Sequence, residues 1–241
     1  YTNAILNSTT AFANTDLVVG HLYQGFTDLS SSYVKARHDY VCNLYPSSLS
    51  AAGKSWWMTE KLFNEGQDET DVNKQEFKKW TYNLKSLALE MHMCMDGYCS
   101  AYVYWYLKRF YGLIGDHDPR SIVSEGGVMK NGYIMSHYAA YATKTTRIRI
   151  DSPNANILAT AYINESSDEI TVVVLNMSGN SYETFLETSV GISTHGAVET
   201  TAIYDMKEVE TVLSYDLKHL HLKISAQSIY SLRLKLQAPI K

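Results

Sequence analysis

The spacing of apolar residues in this 241-residue chain changes near residue 144. Upstream, short apolar runs alternate with helical patterns. Residues 16–22, 55–59 and 101–106 read as strands. Between the second and third, residues 74–95 carry apolar positions at helical spacing through Phe77, Trp80, Leu84, Leu87 and Met91, and Gly97 follows where a helix stop is expected. Residues 132–142 read as a further helix. Strands alternating with helices imply parallel strands joined by crossovers. Downstream the period becomes two: Ile148 and Ile150 alternate with Arg147 and Arg149, and strand-like runs follow at 157–163, 169–175, 200–204, 219–224 and 229–236. Turn-like segments of Asp, Asn, Ser and Gly separate them. This pattern predicts an antiparallel β-sandwich. The fold class is therefore α/β over residues 1–143 and all-β over 144–241.

Composition narrows the partners. Apolar residues make up 45% of the chain, enough for a real core, and the net charge of −4 gives no electrostatic footprint for nucleic acid or an anionic membrane. No apolar run approaches a membrane span. Nineteen tyrosines and four tryptophans supply flat faces with polar handles, suited to stacking on sugars as well as to filling a core. Cys42, Cys94 and Cys99 leave one thiol unpaired at best; Cys94 and Cys99 can bridge or stay as buried free thiols. No Cys/His spacing suggests a metal site, and no cofactor is implied. Asn7, Asn164 and Asn176 open sequons that chance also explains in a chain rich in Ser, Thr and Asn. The chain starts at Tyr1 without an export signal, the expected look of a processed or truncated product.

Lys54-Ser55-Trp56-Trp57-Met58-Thr59-Glu60 carries the candidate chemistry. A buried strand closes on a carboxylate, and the C-terminal ends of strands are where (β/α)8 barrels keep their catalytic groups. Position alone favours a solvated Glu at a strand-to-loop junction.

Four segments in order then carry a resemblance. Residues 5–7, 13–16 and His21-Leu22-Tyr23 resemble the sixth barrel strand of glycoside hydrolase family 30, in its bacterial glucuronoxylanase branch. Trp57-Met58-Thr59-Glu60 resembles the seventh strand, whose glutamate is the nucleophile. Residues 101–112 resemble the eighth strand and the loop after it. Ala226-Gln227-Ser228 resembles the motif before the last sandwich strand. The resemblance spans essentially the whole chain. It implies the C-terminal portion of a TIM (β/α)8 barrel, strands six to eight, followed by the sandwich. The first five strands are expected to lie outside this sequence, and with them the acid/base glutamate. Parallel strands need both faces covered, so the isolated piece is expected to aggregate.

By the same resemblance Glu60 is the nucleophile, and His21 and Tyr23 bind substrate beside it. Trp105 is a stacking floor for a xylose ring and Tyr106 a second sugar contact. Arg109 and Tyr111 recognise a glucuronate side group, the arginine holding its carboxylate as a planar fork. The sequence departs from the family at two pocket positions, where Leu62 replaces a tyrosine and Glu65 a serine; a glutamate there repels a glucuronate. Glu65, Asp68 and Glu69 otherwise read as a solvated acidic run. The expected activity is retaining hydrolysis of xylan by a secreted protein, with this chain alone inactive. The competing classes are a non-catalytic carbohydrate-binding or structural piece, and a same-family enzyme for β-1,6-glucan or a glucosylceramide-like glucoside. Oligomeric state is not legible.

Overall fold

The computed structural model describes residues 2–21, 52–62 and 79–240. Two short helices, α1 (Thr2–Leu6) and α2 (Thr9–Ala13), open the chain. Neither stands out in the apolar pattern. The Ser8 hydroxyl caps α2 by accepting from the Ala11 N–H.

Three strands follow: β1 (Leu17–His21), β2 (Ser55–Leu62) and β3 (Ala101–Trp105). They form one parallel sheet in the order β1-β2-β3. The link from β2 to β3 includes α3 (Trp80–Asn83), a π-helical turn (Leu84–Ala88) and α4 (Leu89–Asp96), which run on without a break and stop at Gly97. Of the helix expected over 74–95, the described part is helical from Trp80 onward, interrupted by a π-turn. The helix expected at 132–142 is α5 (Lys130–Ala139). Gly132 marks a close approach inside it rather than its start, since a Cβ there would lie 2.7 Å from the Leu113 carbonyl oxygen.

Beyond residue 144 every pairing is antiparallel. The strands are β4 (Thr146–Ile148), β5 (Ile157–Ile163), β6 (Glu169–Asn176), β7 (Tyr182–Glu187), β8 (Ile192–Thr200), β9 (Lys207–Glu208), β10 (Val212–Leu213), β11 (His219–Ile224) and β12 (Ser228–Leu236). They make a six-stranded sheet, β4-β5-β6-β12-β8-β9, and a three-stranded sheet, β10-β11-β7. Ile170, Val172, Val174, Leu232 and Leu234 meet Leu220, Leu222 and Ile224 in an apolar core between the sheets. The other face of β6 is covered too. Val173 and Leu175 join Tyr162 and Ile229 in a second core with Leu87, Met91, Ile134 and Tyr138 of the helices and Trp56 and Met58 of β2. Double coverage is why β6 reads as a nearly continuous apolar run.

The strand expected at 200–204 is a turn, with Thr201 N–H donating to the Tyr204 carbonyl at 2.9 Å. β8, which ends at Thr200, and β7 escape the apolar pattern. Residues 193–196 of β8 are exposed and polar or glycine, so its buried positions are spaced too widely to signal a strand. Cys94 and Cys99 are not bridged to each other, which removes that disulfide alternative. Asn176 is buried with its amide donating to the Asn180 and Ser225 carbonyls at 2.8 Å, so its sequon is inaccessible in the folded chain.

Polar ties join the helices to the antiparallel strands. Trp80 Nε1 donates to the Gln227 carbonyl at 2.6 Å, and Lys130 Nζ to the Thr201 carbonyl at 2.7 Å and to Asp205 at 2.6 Å. His137 is fully buried between Ser231 Oγ (2.7 Å) and Thr200 Oγ1 (2.9 Å). Burial pushes its pKa down to about 3 from the usual 6.5. The folded protein therefore keeps His137 neutral while the unfolded chain protonates it. Its contribution to stability is fully present above pH 6.5 and is lost as the pH falls toward 3. Urea unfolding should show a stability loss on the order of a few kcal/mol across that window, and His137→Gln, which bonds but does not titrate, should flatten the slope.

Candidate active site

Register places the site. Across β1 and β2, Val19 pairs with Trp57, Gly20 with Met58, and His21 with Glu60. Across β2 and β3, Met58 pairs with Tyr102, Lys61 with Tyr104, and Leu62 with Trp105. Against both neighbours β2 carries one extra residue after Met58, a β-bulge at Thr59 and Glu60. The Thr59 hydroxyl makes a long, 3.4 Å bond to the Gly20 carbonyl across this irregularity.

The bulge decides which face Glu60 takes. Trp56 and Met58 are buried on the helix-covered face, and strict alternation would send residue 60 there as well. With the extra residue inserted, Lys61 is the next buried side chain and Glu60 shares the opposite face with His21. That face also holds Leu17, Val19, Trp57, Val103 and Trp105, all exposed. β2 was expected to end just before Glu60; it continues to Leu62 because the bulge turns the chain without breaking the pairing. His21 and Glu60 thus leave adjacent strands, spaced ~4.8 Å apart, on one face near the C-terminal ends of the sheet.

Trp105 closes β3 and Tyr106 follows it through a cis peptide bond. The strand ends between them, so its alternation does not carry on into Tyr106. The two rings sit 4.6 Å apart and are 44% and 45% exposed, open to a ligand. Tyr111 differs, being only 4% exposed, with its ring edge-on to Phe110 at 4.7 Å and 6.4 Å from Tyr106. Arg109 is half-buried between them and the solvent, its guanidinium carbon 5.6 Å from the Phe110 ring and 5.9 Å from the Tyr111 ring. Its Nε is buried without a hydrogen-bond partner.

The loop that carries these residues is tightly built. Gly112 N–H donates to the Arg109 carbonyl at 2.9 Å, and a Cβ on Gly112 would lie 2.7 Å from the Arg109 backbone nitrogen. Lys108 bonds to Glu125. Asp118 is held down at about pKa 2, mainly by its bonds from Arg120 and to a smaller extent by the Arg109 charge. Tyr23, Leu22, Cys42, Glu65, Asp68 and Glu69 lie outside the described residues, as does the side chain of Leu62. Among the described residues no group of three or more His, Cys, Asp or Glu is placed to hold a metal. A cavity of about 600 Å³ lined by Cys99, Tyr102, Tyr138 and Arg147 lies at the N-terminal end of β3, away from Glu60.

No family model matches the chain. Glucuronoxylanase XynC of Bacillus subtilis strain 168 is 30% identical over 181 residues, 72% of this chain and 35% of that protein. A second Bacillus subtilis XynC is 27% identical over 178 residues, 71% of this chain and 34% of that protein. Among solved structures, a GH30 endoxylanase from Clostridium papyrosolvens C71 superposes with a TM-score of 0.66 at 22% identity, covering 96% of this chain and 52% of that one. The family 30 subfamily 8 xylanase Xyn30A of Clostridium acetobutylicum gives 0.67 at 20% identity, covering 97% and 52%. This chain fits the C-terminal part of a glycoside hydrolase family 30 protein. It spans about a third of the length of the curated relatives and about half of the solved ones.

Two groups escape the sequence reading. One is buried and charged behind Glu60: Lys61 Nζ meets Glu90 Oε2 at 2.9 Å, with both side chains at most 1% exposed, and the Tyr102 hydroxyl donates to Glu90 Oε1 at 2.8 Å. Removing one partner of such a pair costs about 3–5 kcal/mol. Burial, with the Glu90 charge added, holds the Tyr102 hydroxyl protonated, its pKa well above the usual 10. The other is the hub at Asn131. Its amide donates to the Tyr104 hydroxyl (3.0 Å) and the Tyr111 carbonyl (3.2 Å), and its oxygen accepts from Asn83 at 2.7 Å. A Lys after a motif Glu, or a lone Asn at a helix start, carries no signal in one sequence; both are found by their burial. Asn131→Ala should lower unfolding stability by about 2–3 kcal/mol, because it strands several buried polar groups at once, and a urea titration checks this.

Proposed function

We propose that this chain is the nucleophile-bearing part of a retaining glycoside hydrolase acting on xylan. The observation that carries the reading is the pairing of Glu60 with His21 at the C-terminal ends of parallel strands, with Trp105 at the end of the next. The likeness to proteins named as xylanases supports it. In this reading β1, β2 and β3 are the last three strands of a TIM barrel, their exposed apolar face is its interior, and the antiparallel sheets form a β-sandwich beside it.

The chemistry then runs in two displacements. The ionised Glu60 carboxylate attacks the anomeric carbon as the glycosidic C–O bond breaks. A second carboxyl group about 5–5.5 Å away, supplied from outside this chain, gives its proton to the leaving oxygen. In the second step that group takes a proton from water, which attacks the anomeric carbon and releases Glu60. His21 and Tyr23 orient the sugar, and Trp105 and Tyr106 bind it by stacking, which adds roughly 1 kcal/mol per ring. Arg109, with Tyr111 beside it, recognises a glucuronate carboxylate on the xylan chain. No metal or cofactor is needed. Secretion fits a polymeric substrate, and a conserved exported protein from Bacteroides fragilis shares the fold, with a TM-score of 0.67 at 16% identity.

In the full-length protein, Glu60→Gln should lower xylan hydrolysis by about a thousandfold or more. Azide should restore turnover to Glu60→Ala and give a glycosyl azide of inverted configuration. Unimpaired Glu60→Gln would sink the reading. Residues 1–241 alone should release no sugar. Arg109→Ala should lower kcat/KM on glucuronate-bearing xylan about tenfold or more while leaving unsubstituted xylan nearly unchanged; equal losses on both would remove the glucuronate assignment.

A further inference from the structure

Two register errors meet behind Glu60. β2 carries one extra residue at Thr59 and Glu60. The helix facing it carries a π-turn at Leu84–Ala88, which also adds a residue relative to an α-helix. One residue is about 100° of helical rotation, so the π-turn sets which side chain of α4 faces the sheet. The side chain it brings there is Glu90, fully buried. The side chain the bulge brings to it is Lys61, fully buried, whose Nζ lies 2.9 Å from Glu90 Oε2. The Tyr102 hydroxyl, from the neighbouring strand β3, completes the group at 2.8 Å from Glu90 Oε1.

A buried ion pair is a weak source of net stability, since the cost of dehydrating two charges offsets most of their attraction. It is a strong source of geometry. Lys61 can reach Glu90 only if β2 keeps its bulge, and slipping the strand back by one residue would place the ammonium on the apolar face beside Trp57 and Val103, without its carboxylate. The same slip would turn Glu60 into the helix-covered core. The pair therefore penalises the one alternative register in which Glu60 is misdirected.

We propose that Lys61, Glu90 and Tyr102 are positioning residues that lock the β2 bulge and so aim the Glu60 carboxylate. The proposal rests on Glu60 being the nucleophile. The three groups touch no substrate; they act through the backbone of residues 58–61. Misplacing a reacting group by about 1 Å costs on the order of a hundredfold in rate, so their effect should fall on kcat and spare KM.

The test uses the full-length protein with an aryl β-xylobioside, comparing wild type, Glu60→Gln, the triple variant Lys61→Met/Glu90→Leu/Tyr102→Phe, and Tyr102→Phe alone. The triple variant replaces the whole network with apolar groups of similar volume, which is often neutral or stabilising. It should melt near the wild-type temperature yet lose kcat about ten- to a hundredfold with KM changed less than about twofold. A triple variant that melts like wild type and keeps wild-type kcat overturns the proposal, as does one whose loss lies in KM alone. If the triple variant does not fold, Tyr102→Phe decides by the same split: a loss of about threefold or more in kcat at constant KM supports it, and unchanged kcat overturns it. An inactive Glu60→Gln alongside a fully active triple variant refutes positioning only; an active Glu60→Gln refutes the nucleophile reading itself.

Discussion

One extra residue in β2 governs the arrangement of everything around it. In a strand, neighbouring side chains point to opposite faces, so inserting one residue exchanges the faces for all that follow. Before the bulge Trp56 and Met58 face the helices; after it Lys61 does, and Glu60 emerges beside His21. The packing core, the buried Lys61–Glu90 pair and the carboxylate at the strand tip are all consequences of that single offset. Without it, a Glu in this sequence would be a buried charge facing methionines and leucines.

The molecule around this strand is built in layers that share cores. The helices α3, α4 and α5 lie between the parallel sheet and the six-stranded antiparallel sheet, and one apolar cluster runs from Trp56 through Leu87 and Ile134 to Val173. His137 and Trp80 cross the same boundary with hydrogen bonds to Thr200, Ser231 and Gln227. The parallel strands are therefore held firmly on one side. Their other side is a row of exposed apolar residues ending at Glu60, His21 and Trp105. A parallel sheet with one bare apolar face is unusual, and in the proposed reading this face is the interior of a barrel that other strands complete.

Much of this was legible in the apolar pattern. The three parallel strands, the helix stop at Gly97, and β5, β6, β11 and β12 stand where the spacing predicts them, because burial of one face imposes its period on the sequence. Strands with thin apolar signal were not legible. β8 exposes four consecutive residues and β9 and β10 are two residues each, so little of their sequence is constrained by a core. The motif around Glu60 marked a candidate site through family resemblance, but the face Glu60 takes could not be read, since alternation counted from Trp56 gives the wrong answer.

By itself the sequence determined the two kinds of sheet, the order of the strands that carry Glu60, His21 and Trp105, and the absence of any cysteine or histidine spacing suited to zinc. These follow from local periodicity and from residue type, which need no partner in space. Only the tertiary structure decided the bulge, the π-turn and the pairing of Lys61 with Glu90 across 29 positions of sequence. A bulge is a property of two strands compared with one another, and a buried charge pair is a property of two elements in contact. Neither has a period that a single chain can display.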